Sequence, residues 1–191
     1  MIKLLSLTAP SGAGKTTLVG EVLKRIHRAH IISSYTTRGP RPDDLPNEYI
    51  HFSDDAFANF QKKGWFLWTA EHGGSRYGTT ASSVEDVFER EDDFGIMILV
   101  PSVVPVLMNF LQELRVQDFY TPVFVVPPER DILVERLRKR GDSETNIRLR
   151  LDQANSWLQD AIKSPIAYQC VQNNGKIETA VDSLLDIIQR K

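Results

Sequence analysis

The sequence predicts a doubly wound α/β domain with a largely parallel sheet, an inserted subdomain and an arginine-rich segment in its C-terminal third, all within a single domain over 1–191. Three observations predict it. An apolar run at 2–7 passes through a glycine-containing turn into a helical pattern, the order in which a parallel α/β sheet begins. Two further runs, 94–100 and 119–126, are almost continuously apolar, as strands buried on both faces of a parallel sheet must be, and each leads into a helix. Between about 34 and 80 the alternation gives way to short strands and a proline-rich loop, which marks an insertion into a core of 1–33 and 81–191.

Taken in order, 17–30 place Leu18, Val22, Leu23 and Ile26 on one face and Glu21, Lys24, Arg25 and Arg28 on the other, an amphipathic helix. A second strand follows at 31–35. Residues 36–48 carry Arg38 and Arg41 among prolines and read as a loop, and 49–52 resume a strand. Ser53 caps a helix to about 63, with Asp54 and Asp55 in its first turn. Residues 65–70 are strand-like, 72–76 turn the chain back towards 77–79, and Ser82 with Glu85 makes a capping box for a helix ending near Asp92. Helices are expected at 103–115, at 128–140 and at 143–163. The second opens on Pro128 and ends in Arg136, Arg138, Lys139 and Arg140 before Gly141; the third carries Arg148 and Arg150. An arginine-rich stretch, which the resemblance described below makes a lid, covers about 136–150. A last strand at 166–171 and a last helix at 177–190 complete the chain.

The charge balance, 23 basic against 25 acidic residues, gives no nucleic-acid footprint and no bias towards a membrane surface, so neither partner is expected. A lone cysteine, Cys170, excludes a disulfide framework and a cysteine-ligated metal and suits a reducing cytoplasm, the expected location. The most apolar stretch, 96–111, is interrupted by Pro101, Ser102 and Pro105 and reads as a buried strand and core helix. Cleavage of an N-terminal signal would destroy the strand that enters the glycine turn.

That turn is Ala9-Pro10-Ser11-Gly12-Ala13-Gly14-Lys15-Thr16-Thr17, the pattern of a phosphate-binding P-loop with alanine at its first position. Gly12 and Gly14 let successive backbone N–H groups, including that of Ala13, point inward at a di- or triphosphate beside Ser11, and the helix start adds its positive end. Lys15 would reach the β- and γ-phosphates, Thr16 would place its hydroxyl on Mg²⁺, and Thr17 continues the helix. The donor is therefore expected to be a nucleoside triphosphate carried with Mg²⁺. Arg38 and Arg41, three apart in a proline-stiffened loop, form a clamp for a second anion, because guanidinium groups bind phosphate bidentately. The basic cluster from Arg136 to Arg150 offers a third such group. Phosphoryl transfer needs charge neutralisation and in-line positioning of two substrates, which these clusters supply.

Ser34-x-Thr36-Thr37-Arg38-x-Pro40-Arg41-Pro42, then Phe66-Leu67 leading to Tyr77-Gly78-Thr79, then Arg136-Leu137-x-x-Arg140-Gly141, resemble the guanylate kinase family of P-loop nucleoside monophosphate kinases over nearly the whole chain. The resemblance implies an ATP-dependent kinase that moves the γ-phosphate onto the phosphate of a small phosphorylated acceptor, GMP by family default. It implies that Ser34, Arg38, Arg41, Tyr77 and Thr79 belong to the acceptor site. Arg136, Arg140 and Arg150 would be lid arginines that grip the phosphates or stack on adenine, and Asn173 with Asn174 would lie beside the adenine. Dimers are common among such kinases; the sequence leaves the oligomeric state open.

The chain also departs from that pattern. Where the family has a guanine-reading acid after Phe-Leu, this chain has Trp68, and no carboxylate occurs from Phe94 to Gln112, where a second reader and an acid near Mg²⁺ are expected. Asp44 stands for a longer glutamate, and Tyr49 falls one place early. Loss of two charged readers would cost about 3 to 6 kcal/mol of discrimination; Glu48 or Glu71 could substitute. Ribose 1,5-bisphosphate phosphokinases, similar relatives that also lack those acids, offer an alternative acceptor, and Asn173-Asn174-Gly175 resembles their tail. A non-catalytic guanylate kinase-like binding module is the other alternative, disfavoured because Lys15 is kept.

Overall fold

The computed structural model describes residues 1–90 and 93–189. In chain order the elements are β1 (Leu4–Thr8), α1 (Lys15–Arg25), β2 (Ala29–Ile31), β3 (Ser34–Thr36), β4 (Tyr49–His51), α2 (Asp54–Lys62), β5 (Phe66–His72) and β6 (Ser75–Thr80). There follow α3 (Ala81–Glu89), β7 (Phe94–Leu99), α4 (Val104–Glu113), β8 (Tyr120–Val126), α5 (Arg130–Lys139), α6 (Glu144–Lys163), β9 (Gln169–Gln172) and α7 (Ile177–Gln189). Strands β2-β7-β1-β8-β9 pair in that order, all parallel, as the sequence predicts for a doubly wound core.

β1 lies between β7 and β8 and is buried at every position. Its side chains alternate between two layers. Leu5 and Leu7 pack with Leu18, Val22, Val181 and Leu184 of α1 and α7. Leu4 packs with Val84, Val87, Leu107 and Leu111 of α3 and α4 on the opposite face. Apolar side chains on both faces of one strand are what allow helices to cover both sides of the sheet. Ser6, buried in the same strand, is satisfied by a 2.6 Å hydrogen bond with the Tyr120 hydroxyl. The phosphate-loop candidate thus leaves the C-terminal end of a central strand, where parallel α/β folds place their ligands.

The segment between β2 and α3 builds a separate mixed sheet in the order β4-β3-β6-β5. The expected strand at 31–35 is in fact two. The Ile32 amide makes a last bond to the Ile96 carbonyl in the core sheet, and the Ser34 amide bonds the Glu48 carbonyl in the other, so the chain changes sheets at Ser33. Phe57 of α2 anchors this second sheet: it is fully buried, stacks on Phe66 at 4.7 Å and receives the Arg76 guanidinium on its ring at 5.1 Å.

Several boundaries differ from the sequence reading. α1 begins at Lys15 and stops at Arg25, because residues from Ala29 onward are drawn into parallel pairing with β7. α3 is capped by Thr80, whose hydroxyl accepts from the Ser83 amide at 3.3 Å, and not by Ser82 with Glu85; the strand runs straight into the helix, and the first available hydroxyl takes the cap. Ser53 caps α2 as expected, accepting from the Ala56 amide at 3.2 Å. The expected helix ends at Asp92 and Arg190 lie outside the described residues. Among the described residues no helix is long and apolar enough to cross a membrane.

Candidate active site

A cavity of about 320 Å³ opens where the end of β1, the second sheet and the α5–α6 pair meet. Of the residues singled out from the sequence, Ser11, Gly12, Gly14, Lys15, Thr16, Ser34, Arg38, Arg41, Tyr77, Arg140 and Arg150 line it. Thr79 stands behind it, buried, with its hydroxyl 3.2 Å from that of Ser34. Ala13, Thr17, Arg136 and Asn173 do not line it.

The loop after β1 owes its path to two glycines. Gly12 and Gly14 have φ of 84° and 94°, and a Cβ on Gly14 would fall 2.2 Å from the Asn173 amide nitrogen. Asn173, buried at the end of β9, donates to the Ala13 carbonyl at 2.7 Å, and Arg136 donates to the carbonyls of Gly12 and Asn173. In this structure, therefore, Asn173 and Arg136 brace the loop from behind, whereas the family pattern sets them beside adenine and the phosphates. Lys15 curls back over its own loop, donating to the Ala9 and Pro10 carbonyls. Burial pushes its ammonium pKa down to about 8, with Arg140 and Arg150 adding to the fall and Glu48 opposing it.

Across the cavity the clamp loop is held in advance of any substrate. Arg38 is buried, donates to Asp44 at 2.6 Å and to the Gly39 carbonyl at 3.1 Å, and lies over the Tyr49 ring at 4.7 Å. The other Asp44 oxygen accepts from the Arg41 amide at 2.8 Å, so one carboxylate fixes both ends of the clamp. Tyr49 meets Tyr77 edge-on at 6.0 Å. Glu48 is buried and lines the cavity, and burial pushes its carboxyl up against the hydrogen bonds it receives from the Leu45 amide and from Tyr49. Glu71, the other glutamate that could replace a missing reader, lies outside this cavity and lines its neighbour. Trp68 is 6 % exposed and packs with Leu4, Val84 and Met97, yet it also lines the cavity, so an indole set against the core occupies the place of the family's acid.

Sequence reasoning missed three residues here. His72 at the end of β5 lines the cavity and meets Trp157 of α6 at 5.6 Å; burial and the nearby Lys15, Arg150 and Arg41 hold its imidazole below its ordinary pKa. Asp142 lies between two lid arginines and bonds both. The only signal for Asp142 was its position, an acid directly after the glycine that ends α5. His72 and Trp157 are 85 residues apart in number and gave no signal.

A glycine loop with a lysine at the start of a helix, facing an arginine clamp across one cavity, defines a P-loop phosphotransferase site. A protein-family model described as guanylate kinase matches residues 1–191. The chain is 34% identical to the guanylate kinase of Desulfitobacterium hafniense over 187 residues, covering 97% of this chain and 88% of that one. It is 37% identical to that of Paraburkholderia xenovorans over 145 residues, 75% of this chain and 61% of the other. The crystal structure of guanylate kinase from Anaplasma phagocytophilum shares the fold, with a TM-score of 0.67 over 98% of this chain and 84% of that one, at 21% identity. The chain belongs to the guanylate kinase family, a family of ATP-dependent kinases.

Proposed function

We propose that this chain transfers the γ-phosphoryl group of ATP to the phosphate of GMP, giving ADP and GDP. The single observation that carries the reading is the shared cavity, in which Lys15 and Thr16 of the P-loop face Ser34, Arg38 and Tyr77 of the clamp. An oxygen of the acceptor's phosphate attacks the γ-phosphorus, a new P–O bond forms, and the bond to the β,γ-bridging oxygen breaks, leaving ADP. A phosphate monoester is already anionic near neutral pH, so no general base is required. Lys15, Arg140 and Arg150 neutralise the charge of the transferring group, and Arg38 and Arg41 hold the acceptor. Closure of α5 and α6 over the cavity excludes water.

The residues present fit Mg²⁺ as a cation carried with the triphosphate. Thr16 offers a hard hydroxyl oxygen at the cavity, and no group of three or more His, Cys, Asp or Glu that could hold a metal occurs among the described residues. Thr16 would hold it, and bound there it would offset phosphate charge. The relatives named guanylate kinase support GMP as acceptor and favour neither ribose 1,5-bisphosphate nor a non-catalytic binding module. Glu48 is the glutamate positioned to meet that acceptor. A free, exposed Cys170 supports a cytoplasmic setting.

ADP release from ATP in the presence of GMP tests the reading. A pH dependence accompanies it. A bound triphosphate favours the charged form of Lys15, whose proton the free protein releases near pH 8, so ATP binding takes up a proton above that pH. The contribution of Lys15 to ATP affinity is full below about pH 7 and falls by up to about tenfold per pH unit above 8. ATP titrations at pH 7, 8 and 9 measure the slope; an affinity that is flat with pH would contradict it.

A further inference from the structure

We propose that Asp142 is a positioning residue for phosphoryl transfer: its carboxylate holds Arg140 and Arg150 by one edge each and leaves their other edges to the cavity that both line with the P-loop. The inference rests on the kinase reading above. Asp142 follows Gly141, whose φ of 90° reverses the chain at the end of α5, and the Asp142 amide bonds back to the Leu137 carbonyl at 3.1 Å. The turn thereby sets the carboxylate between the two arginines, with only 10% of its side chain exposed.

The division of donors is specific. Arg140 gives Nε and Nη2 to one Asp142 oxygen, at 2.9 and 2.5 Å, and turns Nη1 to the Ser11 hydroxyl at 3.0 Å. Arg150 gives Nε to the other oxygen at 3.1 Å, and among the described residues its terminal nitrogens have no hydrogen-bond partner. A guanidinium is a rigid fork, so fixing one edge fixes where the other points. The arginines also need the carboxylate for electrostatic reasons. Arg140, Arg150, Arg41 and Lys15 all line the same cavity, and burial together with Arg140 and Arg41 opposes the charge on Arg150. Without Asp142 nothing between the two guanidiniums offsets their repulsion, and they would swing towards solvent.

The test is a double-mutant cycle on the full chain. Asp142→Asn keeps the size of the side chain and removes its charge. We expect it to lower kcat/KM for ATP by about 10- to 100-fold, divided between KM for ATP and kcat, while KM for GMP changes by less than about threefold. In an Arg140→Met/Arg150→Met background the same substitution should cost less than about twofold, and Asp142→Glu should recover part of the loss. An equal loss in both backgrounds, or an equal rise in the KM of both substrates, would overturn the proposal and make Asp142 structural only. If the wild type turned over none of the acceptors, the kinase reading would fail. The cycle would then be read on ATP affinity alone, where Asp142→Asn must weaken binding in the wild type and not in the arginine-free background; no weakening, or equal weakening in both, would overturn it.

Discussion

Lys15→Met is expected to abolish turnover, lowering kcat by about 10³-fold or more, and to leave the fold intact. Lys15 is the cation at the foot of the cavity, its ammonium already stripped of water and directed at the Ala9 and Pro10 carbonyls. A triphosphate in the loop replaces those carbonyls with phosphate oxygens, and the charge on them grows as the γ-group departs. Methionine fills the same space without charge. Its effect on stability has a sign that can be worked out. The folded state holds the Lys15 proton only to about pH 8, whereas the unfolded chain holds it to about 10.4, so the unfolded state binds more protons between those values and stability rises with pH there. Below pH 8, holding that proton in the folded state costs a net amount on the order of 3 kcal/mol relative to the neutral amine. Lys15→Met should therefore melt at or above the wild-type temperature near neutral pH and lose the rise in stability above pH 8. Substantial retained turnover would refute the P-loop assignment.

Arg38→Ala should raise KM for the acceptor by about 30-fold or more, since truncating a buried, hydrogen-bonded charge costs about 2 to 5 kcal/mol, while KM for ATP moves less than about threefold. Arg38 reaches the cavity from the second sheet, on the side opposite the P-loop, and its guanidinium is held by Asp44 and the Tyr49 ring before any anion arrives. Removing it also strips Asp44 of one partner, so some loss of stability is expected. Arg38→Lys separates the two effects: it keeps a charge near Asp44 but loses the planar fork and much of the stacking, and it should bind the acceptor poorly in a well-folded protein. Steady-state kinetics with each substrate varied in turn measure both. Equal weakening of ATP and acceptor would count against the clamp.

The parallel core was legible because its signals are local. The strand at 94–99 reads as buried from its own composition, and the glycine turn announces itself by spacing alone. The site was legible where chemistry is carried by short motifs: Ser11 to Thr16, and Ser34 to Arg41, each contribute several neighbours to the same cavity. What stayed hidden was set by long-range geometry. Arg136 and Asn173 share no local signal with the P-loop they brace, and 160 residues separate Asn173 from the carbonyl it bonds. The split of 31–35 into two strands was hidden because no glycine or proline interrupts Ile31-Ile32-Ser33-Ser34-Tyr35, and only pairing with Ile96 on one side and Glu48 on the other divides it. Trp68 shows the reverse case. Aromatic residues at strand spacing are core more often than ligand, and the indole packs with core residues while also lining the cavity, at the position where the family pattern has an acid.

The most direct measurement is ADP release from MgATP with GMP, with the other nucleoside monophosphates and with ribose 1,5-bisphosphate, each offered separately to the wild-type chain. The account predicts turnover with GMP, at least tenfold faster than with any other acceptor at equal concentration (roughly 1.4 kcal/mol of discrimination), and its loss in Lys15→Met. Turnover with ribose 1,5-bisphosphate and little with GMP would contradict it, and would mean that the indole at Trp68 marks a site that reads the acceptor's phosphate and no base.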